Sequence, residues 1–326
     1  MVNDEILMDL ESEEGNFYED FNAWLVLKNI KAFFDAKYKY LPLLDNMISN
    51  HTSARIPLIS HNTWLTTSSA IKEVPNTHFD KLIQKLKLLD QDNLPWKHIF
   101  WTNCKICIPN TIERISSFNL EVREIQNEQD KILHYHLIND FLSQGYMGIA
   151  ANLLRYDILD SQGGFYSDLN FVLLKSPLEY MQKFDFFSTS FTLYIGNHCF
   201  GTVPNHPIIH NTLNSIDKNI DNPTSRIIKA QGNSIESYTE ELTYAPLIIS
   251  FFINSNQHHT KDIAIPLGRK LLEQIQSLEP VYERPLTEFN NHKILLWENE
   301  ICLADHLDIG YDEHDGGSWL GSVIDG

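Results

Sequence analysis

Ala151-Asn152-Leu153-Leu154-Arg155-Tyr156-Asp157-Ile158-Leu159, followed closely by Gly163-Gly164-Phe165-Tyr166-Ser167-Asp168-Leu169-Asn170, is the stretch on which the fold turns. The first block has helical character, and Asn152 and Arg155, three apart, share one helix face. Gly163-Gly164 stops the helix and gives a tight turn into the next element. Phe165 to Leu174 reads as a strand rich in aromatic and aliphatic residues. On a strand, Tyr166, Asp168 and Asn170 alternate and project to one side. A phenol, a carboxylate and an amide then line one face, close to an Arg-bearing helix. Alternating polar residues on an edge strand often form a mere solvent face. The helix, Arg and Gly-Gly context points instead to a site. Ligands of open α/β sheets sit beyond the carboxyl ends of strands. Oxygen donors with one or two carboxylates, completed by substrate phosphates, suit Mg²⁺ or Mn²⁺.

Outward from this block, strands alternate with helices. Ile56-Pro57-Leu58-Ile59-Ser60 reads as a short strand leading to Trp64, and Phe79, Leu82, Ile83 and Leu86 mark an amphipathic helix. Ile99 to Thr102 and Leu120 to Ile125 read as strands, with one helical stretch over about 130–160. That order predicts an α/β domain with a largely parallel sheet. Residues 1–50 read as a helical extension: Phe17, Phe21, Trp24 and Leu25 recur on one helix face. Packing of that face on the main domain is the preferred reading over docking to a membrane or partner. The domain proper spans 51–326.

The chain has 326 residues, 43% of them hydrophobic, which is enough for a substantial core. Lys plus Arg number 25 against 43 Asp plus Glu, for a net charge of −18. Such a surface repels nucleic acid and anionic lipid. It also repels a diphosphate, so a site for one needs local Arg, Lys or a divalent metal. Met1 to Glu14 is acidic and lacks the order of a signal peptide. The longest apolar run, around Pro246 to Ile253, is too short to span a bilayer. The expected location is the cytosol, or a host cell reached through a specialised secretion system. Cys104, Cys107, Cys199 and Cys302 are expected to be reduced and buried, since no second pair accompanies the C-x-x-C to complete a zinc site. His134, His136, His258 and His259 have no carboxylate or Cys partners at ligand spacing and read as surface or satisfied histidines.

The central block resembles the DXD sugar-binding region of a glycosyltransferase family. That family includes the large clostridial glucosylating toxins, Legionella-type effector glucosyltransferases and fungal mannosyltransferases. Its pattern runs Ser-Asp-x-x-Arg-Tyr, then Gly-Gly-x-Tyr-x-Asp-x-Asp. Other segments follow in the family's order: Ile56-Pro57 to Trp64, Trp101-Thr102-Asn103, Asn205-His206-Pro207, Thr243-Tyr244-Ala245-Pro246 and His314 to Trp319. The likeness covers about residues 55–320. It implies a GT-A-like nucleotide-sugar transferase fold, Rossmann-like, with a mostly parallel sheet flanked by helices.

The resemblance also implies roles. Trp64 would stack on the base, with Asn103 nearby in the donor site. Arg155 and the residue at 152 would contact the donor sugar, as would Asn197. Tyr166 would flank the nucleotide. Asp168 would contact ribose, sugar and metal, and residue 170 would bind the metal. Ser318 and Trp319 would reach the diphosphate. The expected activity is metal-dependent, retaining transfer of a hexose, most simply glucose from UDP-glucose, to an acceptor hydroxyl on a protein. The setting would be a bacterial effector or toxin. Two departures stand out: Ala151-Asn152 replaces Ser-Asp, and Asn170 replaces the second Asp. They leave two alternatives open, a nucleotide-sugar-binding pseudoenzyme or adaptor, and a glycan-building transferase with another donor such as GDP-mannose.

Overall fold

The computed structural model describes residues 54–67, 71–173, 175–191, 194–258, 262–266 and 304–306. The expected helical extension over 1–50, Ser318, Trp319, Cys302 and His259 lie outside the described residues.

In chain order the elements are β1 (Ile59–Trp64), α1 (Asn76–Asp90), β2 (Lys97–Thr102), α2 (Pro109–Ile115), β3 (Glu121–Glu124), α3 (Tyr135–Ser143), α4 (Met147–Gln162), β4 (Gly164–Ser167) and β5 (Phe171–Leu173). Then follow α5 (Leu178–Lys183), β6 (Phe186–Phe191), β7 (Tyr194–Thr202), α6 (Pro207–Asp221), α7 (Ser225–Asn233), α8 (Ile235–Thr239), a π-helical turn (Glu240–Tyr244), α9 (Ala245–His258), β8 (Asp262–Pro266) and β9 (Ala304–His306).

One seven-stranded sheet has the order β3-β2-β1-β4-β7-β6-β8. Only β7 runs against the other strands of that sheet. The fold is thus α/β, with a mostly parallel sheet flanked by helices. Chain order leaves β1 in one direction for β2 and β3, then returns to β4 on the other side. The β1/β4 boundary is therefore a topological switch point, where such sheets open a crevice at the carboxyl ends of their strands.

Period-two alternation fills both faces. Trp101, Tyr166, Phe186 and Phe200 join α4 and α6 in one core, whereas their neighbours Phe100, Phe165, Phe187 and Cys199 belong to clusters on the opposite face. Helix α4 is buried nearly all round, as befits a helix packed between the sheet and other helices. Among the described residues no helix is long and apolar enough to cross a membrane.

Three expected boundaries shift, each for a local reason. The first strand begins at Ile59 and not Ile56, because Pro57 has no amide hydrogen and its carbonyl instead accepts from the Ile59 amide at 2.7 Å, turning the chain. The helical stretch over 130–160 is split into α3 and α4 by Gly145, at φ +83°, where the Tyr146 amide closes on the Phe141 carbonyl at 2.8 Å. The strand expected from Phe165 to Leu174 breaks after Ser167, and its second half, β5, pairs with β9 in a separate two-stranded sheet.

Candidate functional site at the β1/β4 switch point

The glycine pair behaves as expected. Gly163 ends α4 at φ +62°, and a Cβ there would lie 2.8 Å from the Thr202 carbonyl oxygen. Gly164 is at φ +104°, and its Cβ would lie 2.6 Å from the Ile59 carbonyl oxygen. Only glycine fits both the backbone and the space. Buried His61 locks this turn: its Nε2 donates to the Gly163 carbonyl at 3.0 Å, and its Nδ1 accepts from the Trp101 indole at 3.1 Å. That leaves one neutral tautomer, consistent with burial drawing its pKa down to about 3.

β4 then delivers Tyr166 and Asp168 to the crevice. The Tyr166 hydroxyl donates to Asp168 Oδ1 at 2.6 Å and accepts from the Thr63 hydroxyl of β1 at 2.8 Å, so it bridges the two strands of the switch point. Burial pushes the Tyr166 phenol well above its ordinary range, so it stays a proton donor. Arg155, buried on α4, grips the same carboxylate: Nη2 lies 3.2 Å from Oδ1 and Nη1 3.4 Å from Oδ2. Its Nη1 also donates to the Asn197 carbonyl at 2.6 Å and its Nε to the Ala151 carbonyl at 3.3 Å. Burial opposes the guanidinium charge, but Asp168 and the two tyrosines outweigh it and its pKa is raised. The guanidinium further sits 4.7 Å over the Tyr166 ring. The Asp168 side chain keeps 17% of its surface exposed. The result is a carboxylate fixed by a buried cation and a phenol, with one side left to solvent.

The expected alternation of Tyr166, Asp168 and Asn170 on one strand does not hold. Asp168 follows the last strand residue, its amide donating to the His198 carbonyl at 2.8 Å, and the Phe171 amide closes a turn on the Asp168 carbonyl at 3.3 Å. Asn170 lies in that turn. Two lysines from α1, invisible to the strand pattern, bend the chain here. Lys85 donates to Ser167 Oγ at 2.5 Å, to the Ser167 carbonyl at 3.3 Å and to the Asp168 carbonyl at 3.5 Å. Lys81 donates to the Asn170 carbonyl at 2.9 Å. Both amines are buried, and burial draws the pKa of Lys85 down to about 8. Lys81 and Lys85 are one turn apart beside the Leu82 and Leu86 row, and that i,i+4 pair was the signal in the sequence.

The remaining expected residues fall into two groups. Trp64 ends β1 and Asn103 follows β2, so with Asp168 they occupy the carboxyl edge of three adjacent parallel strands. The Trp64 indole donates to the Lys72 carbonyl at 2.8 Å and stands edge-on to His78. The Asn103 amide brackets Thr66, accepting from its amide at 2.9 Å and donating to its carbonyl at 2.7 Å. Asn152 and Asn197 are more interior. Asn152 Nδ2 donates to the Thr243 hydroxyl at 2.8 Å, and Asn197 Nδ2 to the Tyr156 hydroxyl at 3.1 Å. Asn152 Oδ1 is buried with no hydrogen-bond partner among the described residues. His206 of the Asn205-His206-Pro207 segment caps α6, its Nδ1 accepting from the Ile208 amide at 3.2 Å. That segment therefore starts a helix.

Of two expectations about other side chains, the one for Cys104 and Cys107 is overturned and the one for His134, a satisfied histidine, is met. Cys104 and Cys107 are joined in a disulfide, not reduced; Cys199 is a buried thiol outside any disulfide among the described residues. His134 is buried between two carboxylates far off in sequence, with Nδ1 2.7 Å from Asp157 and Nε2 2.9 Å from Asp217.

Among the described residues no group of three or more His, Cys, Asp and Glu is arranged so that it could hold a metal ion. Asp168 supplies one partly exposed carboxylate, and Asn170 lies in the turn two residues on. That fits the sparse pattern in which Mg²⁺ takes one or two protein oxygens and completes its shell with water and substrate phosphates.

No protein family matches the chain, and no curated protein does. Solved structures with a similar outline include the PaToxG glycosyltransferase, at 14% identity over 76% of this chain and 86% of that one, TM-score 0.49. The UDP-bound glycosyltransferase domain of the YGT toxin shares 10% identity over 64% and 79%, TM-score 0.46. The catalytic domain of alpha-toxin from Clostridium novyi shares 10% over 78% and 77%, TM-score 0.35. At these identities and TM-scores they decide neither the fold nor the reaction of this chain.

Proposed function

We propose that this chain is a metal-assisted glycosyltransferase that takes a sugar nucleotide, UDP-glucose first, at the carboxyl edge of β1, β2 and β4. The observation that carries this is Asp168, held at the switch-point crevice by Arg155 and Tyr166 with one side exposed. A polar sugar needs fixed hydrogen-bond acceptors, and a carboxylate whose orientation is set beforehand recognises hydroxyls without further ordering cost. Trp64 supplies the aromatic surface for a base and Asn103 orders the loop beside it. Arg155 acts through Asp168: three of its nitrogens are engaged with protein oxygens, so it positions the carboxylate and balances its charge.

Mn²⁺ or Mg²⁺, held by Asp168 and the Asn170 amide together with the donor's diphosphate, would supply charge neutralisation for the leaving nucleotide. Because Asn170 adds no charge and Arg155 already offsets Asp168, the cation depends chiefly on the donor's phosphates. The acceptor would be a protein hydroxyl, in the manner of a bacterial effector or toxin.

Asn170, Asn152 and the engaged Arg155 favour one second reading, a sugar-nucleotide-binding adaptor without turnover. Incubation with UDP-glucose and Mn²⁺, followed by release of UDP and glucose, separates the two. Turnover lost in Asp168→Asn supports the enzyme. Binding without turnover, unchanged by that substitution, supports the adaptor. A panel including GDP-mannose fixes the donor.

A further inference from the structure

The C-x-x-C has no part in the donor chemistry above, yet it sits beside the residues that shape it. The disulfide between Cys104 and Cys107 closes the 3₁₀ turn Lys105–Cys107, directly after β2. Neither cysteine is fully buried, and Ile106 between them is 89% exposed, so a small thiol has access to the bridge. A bridge across so few residues removes little entropy from the unfolded chain compared with one closing a long loop. Its consequence is therefore local.

The local structure runs straight to the donor edge. On the amino side of the bridge, Asn103 holds Thr66 through both its amide and its carbonyl. On the carboxyl side the turn leads into α2, whose first amides donate to Glu73: Asn110 at 3.0 Å and Thr111 at 2.8 Å. The Thr111 hydroxyl also donates to Glu73 and accepts from the Val74 amide at 3.0 Å. Burial works against the Glu73 charge, but the Thr111 and Asn110 donors hold its pKa below the ordinary value. Lys72, next to Glu73, gives its carbonyl to the Trp64 indole. A continuous path of hydrogen bonds thus joins the bridged turn, α2, the Lys72–Val74 segment and Trp64.

We propose that Cys104 and Cys107 form a thiol–disulfide exchange site for a small thiol of the glutathione class, and that the bridged state holds Trp64 and Asn103 in place at the donor edge. The second half rests on the donor site proposed above; the first does not. In the opening direction, one thiolate attacks a bridge sulfur, forming a mixed disulfide and freeing the other cysteine as a thiolate. A second small thiolate attacks the outer sulfur of the mixed disulfide and releases the remaining cysteine. One S–S bond breaks and one forms, two small thiols are oxidised to their disulfide, and the protein gains two thiols. The small disulfide runs the same steps backward.

The test uses the full chain in three forms: oxidised with glutathione disulfide, reduced with glutathione, and Cys104→Ser/Cys107→Ser. In the oxidised form, iodoacetamide should leave Cys104 and Cys107 unlabelled; after reduction it should label both. Reduction should also speed hydrogen exchange at the Val74, Asn110 and Thr111 amides and weaken UDP binding about fivefold, the lower range of ordinary coupling between sites. The double variant should match the reduced form and ignore the thiol. Labelling of both cysteines before reduction, or unchanged exchange at those amides, would overturn the proposal. If exchange responds while UDP binds neither form, the thiol site stands and the nucleotide reading fails.

Discussion

Helix α4 carries two buried charges two residues apart, and they serve opposite ends. Successive helical residues turn by about 100°, so Arg155 and Asp157 point to nearly opposite sides. Arg155 faces the sheet edge and grips Asp168, whose side chain remains 17% exposed. Asp157 faces away, with a side chain of 0% exposure, and both its oxygens are consumed by His134: Oδ1 by the ring at 2.7 Å and Oδ2 by the backbone amide at 2.8 Å. Asp217 of α6 completes that cluster through His134 Nε2. What differs is whether a carboxylate keeps a free side at the carboxyl end of a parallel strand. The first arrangement presents charge, and the second clamps α3, α4 and α6 together.

The comparison is most easily broken at its two carboxylates. Asp168→Asn should lower turnover about 10²–10³-fold, the scale of removing one group matched to developing charge, and should also lower stability, because it leaves the buried Arg155 without its counter-charge. Asp157→Asn should act on stability alone: it leaves His134 and Asp217 without their buried partner and should cost about 3–5 kcal/mol in denaturant unfolding. Turnover per folded molecule should stay near the wild-type value. If Asp157→Asn removes activity while stability holds, the division of labour along α4 is wrong.

Lys85 sharpens the comparison, since its charge serves the presenting cluster from below. Lys85→Met should lower turnover several-fold. Wild-type turnover should also decline as pH rises through about 8, where the buried ammonium loses its proton, and that limb should be missing in the variant. Identical pH–rate profiles for the two proteins would remove Lys85 from the mechanism.

The smallest effect concerns the clamp. Burial disfavours the charged His134 ring, but Asp157 and Asp217 win and raise its pKa above the ordinary 6.5. A raised histidine stabilises the fold fully below its unfolded pKa and loses that contribution as pH rises through the folded value. Thermal midpoints measured from about pH 6 to about pH 9 should therefore fall more steeply in the wild type than in His134→Gln. Parallel slopes would show that the clamp works without the imidazolium.

What could be read from the sequence was whatever short-range geometry decides. Gly163-Gly164 announced a turn that only glycine tolerates, and it is there. The apolar run of β2 was legible because both of its faces are buried, and the Leu82/Leu86 row of α1 because one of its faces is. The break after Ser167 was not, because it depends on lysines some 82 residues away taking the turn's carbonyl oxygens. Strand alternation therefore put Asn170 on one continuous strand with Tyr166 and Asp168, whereas the backbone puts it in a turn. The partners of Arg155 were hidden for the same reason: Asp168 and the Asn197 carbonyl are brought to it only by the sheet. His134 lacked carboxylates nearby in sequence, and found them on α4 and α6.

The central claim is that Asp168, as Arg155 and Tyr166 hold it, is the heart of a donor site. Mass spectrometry of the products from UDP-glucose and Mn²⁺, run on wild type and on folded Asp168→Asn, tests it most directly. Release of UDP and glucose by the wild type, lost in the variant at a temperature where it is still folded, is the predicted result. Equal release by both proteins, or release by neither when every donor of the panel has been offered, would contradict it.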